Sequence, residues 1–452
     1  MGTMVTRSET KKRRRLEEER ADRISRLPDV LLGGIVSLLP TKDAARTQLL
    51  SSRWRHICRS APLNLELDPH GPFRIRDADA EISRILSLHP AGPCRRLSIR
   101  IVSLELIHLS AAAFDRWLCS PLLDGGLQDL GLHGSPNGDD DDDAGGALRF
   151  FPVLERLSLS HVTISEASLH ALLAGCHALR SLLLVLNNGF SSVRIVSSCL
   201  RSIGVHPRSR DKMFQHLVIE DAPCLERLLL FGIVIGVPLD ISVISAPKLS
   251  VLGKLFDGFP KLQFDTTVFQ GSSLVTMDTV VHSVKVLALA NMHLSLDVVV
   301  KFMHRFPCLE TLHIKAFKAG GENEWCHQQY DLIDTHDIGL KKIVLKNYRG
   351  DTSHVMFAKF FVLHARMLQL MVLDIEGTVA KEEIEGTEIK CEWIEKQHEL
   401  LQTKDRASRG ARFDFVCHDD KQPDPLGPED YEQAHELSIP DPFVRFRDWY
   451  CH

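Results

Sequence analysis

Cys326 and His327, with Glu322 and Glu324 just ahead of them, are the nearest approach to a metal site in this sequence. A zinc centre needs four suitably spaced ligands, so the quartet reads as polar, solvent-facing sequence instead. The acidic run Asp139 to Asp143 could attract a cation, but it sits among glycines and reads as a solvated loop. The 22 histidines are dispersed. There is no G-x-S-x-G elbow, H-E-x-x-H pair, Walker loop or G-x-G-x-x-G placed between a strand and a helix. The residue types that could do chemistry are therefore not gathered for it, and no catalytic residue, metal or cofactor is assigned.

Stepping from side chains to the elements that carry them, 452 residues with 44% hydrophobic and 25% charged character describe a folded chain of several domains or one long repeat array. The net charge of −5 and a single dense basic cluster, Lys11 to Arg15, give no broad footprint for nucleic acid. The 11 cysteines are an odd number, scattered from Cys58 to Cys451 with no C-x-x-C pair, which suits reduced thiols inside a cell. Residues 1–20 are polar and charged, which argues against a signal peptide and for a disordered basic and acidic arm. The best membrane candidate, Leu228 to Ala246, is interrupted by Pro238 and Asp240, so no membrane span is expected. An intracellular location follows, nucleus or cytoplasm, with Lys11 to Arg15 as a candidate import signal.

Residues 21–62 carry three short helical patterns. Leu27-Pro28-Asp29 opens the first, and Leu31, Ile35, Leu38 and Leu39 make one apolar stripe that Pro40 stops. Thr41 is the expected cap of the second, with Ala45 and Leu49 on one face. Ser51 or Ser52 caps the third, which carries Trp54, Ile57 and Cys58. So small a core calls for a partner to complete it. Gly33-Gly34 removes roughly 2 kcal/mol of helix stability relative to alanine.

Over 63–335 the pattern L-x-x-L-x-L recurs, for example at Leu154-Leu157-Leu159, Leu179-Leu182-Leu184, Leu200-Ile203-Val205 and Leu225-Leu228-Leu230. Starts at 154, 179, 200 and 225 lie 25, 21 and 25 residues apart, the spacing of leucine-rich repeats, in which each unit adds one strand to a curved parallel sheet. Pro152, Pro223 and Pro307 open three units as Pro-x-Leu-Glu. Leu249-Leu252-Lys254 breaks the pattern at its last position, and the gap from 249 to 284 exceeds one unit. Residues 133–147 and 316–337 lack the period and read as insertion loops. The positions between the leucines line the concave face. Arg156, Ser158, Arg180, Arg227, His313 and Lys315 are thus candidates to touch a protein substrate, and the tail 415–452 is equally open as a contact site.

The stretch from Leu27 to Arg55 resembles the F-box of plant F-box proteins with leucine-rich repeats. Val218 to Leu229 is similar to a stretch typical of that family's repeats, and Leu340 to Gly350 with Phe357 to Ala365 resembles its FBD module, placed here at 338–414 as one strand-helix-strand unit closing the solenoid. The resemblance implies an α/β repeat protein: a three-helix F-box, then a leucine-rich repeat solenoid. It implies a non-catalytic substrate-recognition subunit of a cullin-RING ubiquitin ligase of the SCF type. The F-box would dock on a Skp-type adaptor, and through it a cullin, by Leu27, Pro28, Leu31, Leu32, Ile35, Leu38, Leu39, Pro40, Leu50 and Trp54, some of which must instead form the internal core. A scaffold or binding module acting without a cullin is the alternative.

Overall fold

Three helices open the described part of the chain. A computed structural model describes residues 24, 26–39, 41–67, 83–84, 94–100, 123, 126–134, 151–207, 214–231, 239–256, 261–264, 267–270, 273–274, 280–290, 296–315, 338–376, 384–385, 388–389, 391–418 and 436–443. Helix α1 spans Asp29–Val36, α2 Thr41–Thr47 and α3 Ser52–Ser60. Pro28 is the N-cap of α1, and its carbonyl accepts from the Leu31 and Leu32 amides. The helix ends at Val36, short of the expected Pro40. Leu38 and Leu39 follow in tightened turns, their amides donating to Ile35 and Val36. Thr41 is the first residue of α2 rather than its cap, and the side chain that α2 buries is Ala44, while Ala45 and Leu49 are exposed. Ser51 caps α3 as expected, its hydroxyl accepting from the Trp54 amide at 3.4 Å.

Packing of the three helices buries Leu32, Val36, Ala44, Trp54, Ile57, Cys58 and Ala61, with Leu27 and Leu39 against them. Arg53 fastens α3 to the start of α1, reaching Asp29 at 2.7 Å and the Leu27 carbonyl at 2.5 Å. Strand β1 (Leu63–Leu67) pairs in parallel with β2 (Cys94–Arg100), aligning Leu65 with Leu97 and Leu67 with Ile99, and β3 (Asp129–His133) is the next strand along the chain. Asn64 of β1 donates to the carbonyls of Ser37 and Leu39. The chain divides at Gly131 into two compact units, so this helical part and the longer repeat array are separate bodies.

The second unit is built from the repeats. Strands β4 (Arg156–Ser160), β5 (Ser181–Val185), β7 (Ser202–His206), β9 (Arg227–Leu230), β11 (Val251–Phe256), β15 (Val286–Ala290), β16 (Thr311–Lys315), β17 (Lys342–Lys346), β18 (Leu370–Glu376) and β21 (Arg412–His418) follow one another in a parallel sheet. One row of side chains crosses all ten: Leu157, Leu182, Ile203, Leu228, Leu252, Leu287, Leu312, Ile343, Met371 and Phe413 lie opposite one another in register. Behind this sheet the returning chain is helical in some repeats, as α4 (Glu166–Gly175), α5 (Leu296–Arg305) and α6 (Thr352–His364), and extended in others. The extended returns make a second sheet of β6 (Ser192–Val196), β8 (His216–Asp221), β10 (Asp240–Val243), β12 (Lys261–Phe264), β13 (Thr267–Gln270) and β14 (Ser273–Leu274). Its last two strands are antiparallel additions, and they account for the long interval between 249 and 284.

The broken repeat at Lys254 is a bulge. Leu252 faces Leu287, and the next inward partner of Leu289 is Leu255, one residue later than the pattern requires. Gly253 permits the extra residue: its φ is +138°, and a Cβ there would lie 2.5 Å from the Ala288 carbonyl oxygen. At the far end, 338–414 exceeds the single strand-helix-strand unit expected. After β17, α6 and β18 come a short hairpin, β19 (Ile384–Glu385) and β20 (Glu388–Ile389), then α7 (Cys391–Leu400) and β21, which runs past 414 to His418. Tyr348, fully buried after β17, donates its hydroxyl to Gln397 of α7 at 2.7 Å, tying the two crossovers together.

Two outcomes follow for stability. Gly253→Ala should destabilise the repeat unit by about 2 kcal/mol or more, because both the positive φ and the Ala288 carbonyl oppose a side chain; denaturant unfolding of purified protein measures it. Tyr348→Phe should cost about 1–3 kcal/mol by leaving the buried Gln397 oxygen without its donor. Hydrogen exchange should then rise first in α7 and β21, and unchanged protection there would show that the bond is not what holds them.

Candidate functional site

The helical unit keeps several large apolar side chains out of its core. Val30 is 85% and Leu49 86% exposed, and Leu31, Ile35, Leu38 and Leu50 are exposed as well. All six lie on α1, the turn after it, or the turn before α3. Of the ten adaptor candidates from sequence, Leu31, Ile35, Leu38, Leu50 and Pro28 are therefore exposed, while Leu32 and Trp54 lie in the core. Leu27 and Leu39 pack half-buried against that core, and Pro40 lies outside the described residues. A seven-residue core cannot absorb every leucine of three short helices, and exposed apolar clusters of this kind mark interaction surfaces. Neither Gly33 nor Gly34 is imposed by crowding, since a Cβ at either would meet open space.

On the repeat unit the face opposite the leucine row is occupied. Residues Glu436–Phe443 lie across it, contacting β9, β16 and β17. Arg227 of β9 donates to the backbone carbonyls of Glu436 at 3.0 Å, Leu437 at 3.3 Å and Ile439. His313 of β16 meets the Asp441 carboxylate through Nε2 at 2.7 Å, and Lys342 of β17 reaches the same oxygen at 3.2 Å. Asp441 also accepts from the Phe443 amide at 3.1 Å, fixing a tight turn. The Lys346 ammonium is 3.5 Å from the Phe443 carbonyl. The Phe443 ring, 3% exposed, is packed among Leu183, Val185, Leu229, Phe231, Val251 and Ala288, and lies 5.6 Å from the His313 ring.

Burial sets the electrostatics of this face. Desolvation pushes the His313 pKa below its usual value, more than Asp441 raises it, so the imidazole is neutral and donates its Nε2 hydrogen to an ionised carboxylate. Burial alone would raise the Asp441 pKa, but the hydrogen bond from His313 and the bond and charge of Lys342 outweigh it, so the pKa is lowered. Lys254 of β11 is held well below the ordinary lysine range, first by burial and then by Lys346 and Lys315. His206 of β7 is pushed down to about 4 by burial, with His161 and Lys254 adding repulsion. The thiols of Cys94 and Cys176 are raised by burial to about 12 and about 11, which leaves them poor nucleophiles. Among the described residues no group of three His, Cys, Asp or Glu side chains is placed to hold a metal, and no helix is long and apolar enough to cross a membrane. Cys326 and His327, the run Asp139 to Asp143 and the basic cluster Lys11 to Arg15 lie outside the described residues.

The six substrate candidates do fall on the strands or immediately beside them, but they are not all solvent-facing. Arg156 and Arg180 are exposed, whereas Ser158, Arg227, His313 and Lys315 are buried. For Arg227 and His313 the reason is direct contact with 436–443. Arg156 is near enough to help lower the Glu436 pKa. Sequence reasoning missed Lys342, Lys346, Asp441 and Phe443, having left 415–452 as a tail. A signal was available in Leu182-Leu183-Leu184-Val185 and Leu228-Leu229-Leu230, unbroken apolar runs of the kind seen where both faces of a sheet are covered.

With this geometry in hand, likeness to known proteins is specific in two places. Residues 24–66 match the F-box domain, and residues 134–314 match the leucine-rich repeats of the FBD-associated F-box protein At5g56370. Arabidopsis thaliana relatives include the putative F-box/LRR-repeat protein At3g58880, 36% identical over 24% of this chain and 25% of its own length. The F-box/LRR-repeat protein At3g59190 is 26% identical over 38% of this chain and 52% of its own length. The F-box/FBD/LRR-repeat protein At5g22700 is 56% identical over 11% of each. The first of these relatives is thus matched over about a quarter of its length. The helical unit with its exposed apolar side chains and the parallel repeat sheet agree with both matches, and the chain carries an F-box domain and leucine-rich repeats similar to those of plant F-box/LRR-repeat proteins.

Proposed function

We propose that the chain is the substrate-recognition subunit of an SCF-type cullin-RING ubiquitin ligase, performing no chemistry itself. The observation that carries this is the apolar set on α1, the turn after it and the turn before α3, exposed on a domain that matches the F-box. Leu31, Ile35, Leu38 and Leu50, with Pro28 and the unassigned Val30 and Leu49, dock on a Skp-type adaptor that brings a cullin. Leu32 and Trp54 act indirectly, by holding α1 against α3. The repeats present a protein target for ubiquitin transfer. Residues 338–414 form the FBD-type module, whose role is to shield the last repeat's apolar edge. The complex works in the nucleus or cytoplasm, with Lys11 to Arg15 as import signal.

Co-expression with a Skp-type adaptor and a cullin tests this. Wild type should recover both partners, and Leu38→Asp should recover at least about tenfold less while melting like wild type, since Leu38 is exposed and a buried interface leucine commonly carries more than 1.4 kcal/mol. Leu32→Ala should instead unfold the helical unit, at a cost of about 2–5 kcal/mol. Recovery of neither partner by folded wild type would end the ligase reading, and adaptor without cullin would make the protein a scaffold. Gly33→Ala with Gly34→Ala should stabilise the unit by about 1–2 kcal/mol, read as a higher Tm, because each added Cβ enters open space on a helix. A lower Tm would mean that the helix needs those glycines for some contact made only with a partner.

A further inference from the structure

The sheet face opposite the leucine row has the parts of a peptide-binding site, and a stretch of the chain itself fills it. Its recognition elements are of two kinds. Arg227, 4% exposed, takes the backbone carbonyls of Glu436, Leu437 and Ile439, gathered by a turn in which the Ile439 amide donates to the Glu436 carbonyl at 3.0 Å, contacts that any peptide turning the same way can make whatever its sequence. His313 with Lys342, and the apolar pocket around Leu229 and Phe231, read two side chains only: the carboxylate of Asp441 and the ring of Phe443. Glu436, Ser438 and Pro440 are exposed. None of the residues 436–443 joins the sheet as a strand, so its hold on the face is by side-chain hydrogen bonds and one anchored ring rather than by a backbone ladder.

We propose that this face is a peptide-recognition groove closed in this structure by the chain's own Glu436–Phe443. A target protein opens it by replacing that segment with a turn-forming stretch of the same chemistry, a carboxylate two residues before an aromatic side chain. The proposal rests on the reading of the repeats as the target-binding part and names what they select. Charge complementarity favours such an occupant: Arg227, Lys342, Lys346 and the neutral donor His313 face it from three strands, and Lys254 of β11 lies near Lys315 and Lys346. The apolar side chains at Leu183, Val185, Leu229 and Val251 stand at strand positions that would otherwise face water, so an emptied groove demands a new apolar occupant. The tethered segment competes at an effective concentration of order millimolar, so targets weaker than the segment are excluded.

The experiment uses the full chain with a protease site placed between His418 and Glu436 and cleaved after folding. The freed piece should dissociate on gel filtration. A fluorescent synthetic peptide of residues 436–443 should then bind the cleaved protein saturably by anisotropy, and the uncleaved protein at least about tenfold more weakly. The same peptide carrying Asp441→Asn and Phe443→Ala should bind about tenfold or more weakly than the parent, and Arg227→Ala in the protein should weaken both. A piece that leaves only when the sheet unfolds, or an emptied face that ignores the peptide, overturns the proposal. Should the cleaved protein aggregate, hydrogen exchange on uncleaved wild type decides. Amides of 437–443 that exchange far faster than those of β9 and β16 show a displaceable strap, and equal protection shows a permanent brace. Adaptor capture is measured alongside: its retention with an inert groove sinks this inference alone, whereas its loss sinks the ligase reading.

Discussion

Everything in the repeat unit depends on one row of apolar side chains, Leu157 through Phe413, held in register across ten parallel strands. A single strand of five residues cannot bury its own leucine, so each repeat is stable only because its neighbour supplies the other half of the contact. That constraint is strict on the strands and loose behind them. Any return path that covers the row suffices, which explains why helices α4, α5 and α6 and the strands β6, β8, β10 and β12 serve the same purpose in different repeats. It also explains the bulge. An extra residue at Gly253 is tolerated because Leu255 restores the inward contact with Leu289.

The same pairing leaves a second face with its own requirements. Strand residues alternate, so fixing the leucines inward points Leu183, Leu229, Val251 and Ala288 the other way together with Arg227, His313 and Lys342. Such a mixture suits neither water nor an apolar cover. The segment 436–443 resolves it by giving carbonyls to the guanidinium, a carboxylate to the imidazole and ammonium, and a ring to the apolar patch. Burying the Phe443 ring stabilises the arrangement by about 1.5–3 kcal/mol. The charged hydrogen bonds mainly offset the desolvation that shifts Arg227, His313 and Lys346 downward in pKa.

Much of this was legible in the sequence because the signals are periodic. The L-x-x-L-x-L spacing located the strands, and Ser51 marked the start of α3. What failed was local and short. Ala45 and Leu49 share a helical spacing, but α2 has only seven residues, and the packing of α3 selects Ala44 instead. Lys254 looked like a broken repeat because periodicity counts residues and cannot see a bulge, although Gly253 beside it was a cue. Phe443 and Asp441 were invisible as site residues because their hydrogen bonds to the sheet span 97 to 128 positions of sequence, and no period links them to β16 or β17. The only trace lay on the receiving side, in apolar runs too continuous for a strand wet on one face.

The two surfaces differ in how their exposed or buried state is maintained. On the helical unit the buried set is small, and leucines such as Leu38 stay in water because three short helices have no more interior to offer. Among the described residues nothing covers that surface, so a partner's affinity for it carries no competing intramolecular contact. On the repeat unit the apolar patch is covered by covalently attached sequence, so a binder must outcompete an intramolecular contact before its own contacts count. An uncovered surface suits a constant partner shared by every assembly. A covered one suits a selective partner, since the segment removes from competition any peptide lacking both the carboxylate and the ring, and the threshold it imposes is adjustable by changes at Asp441 or Phe443 that leave the leucine row untouched.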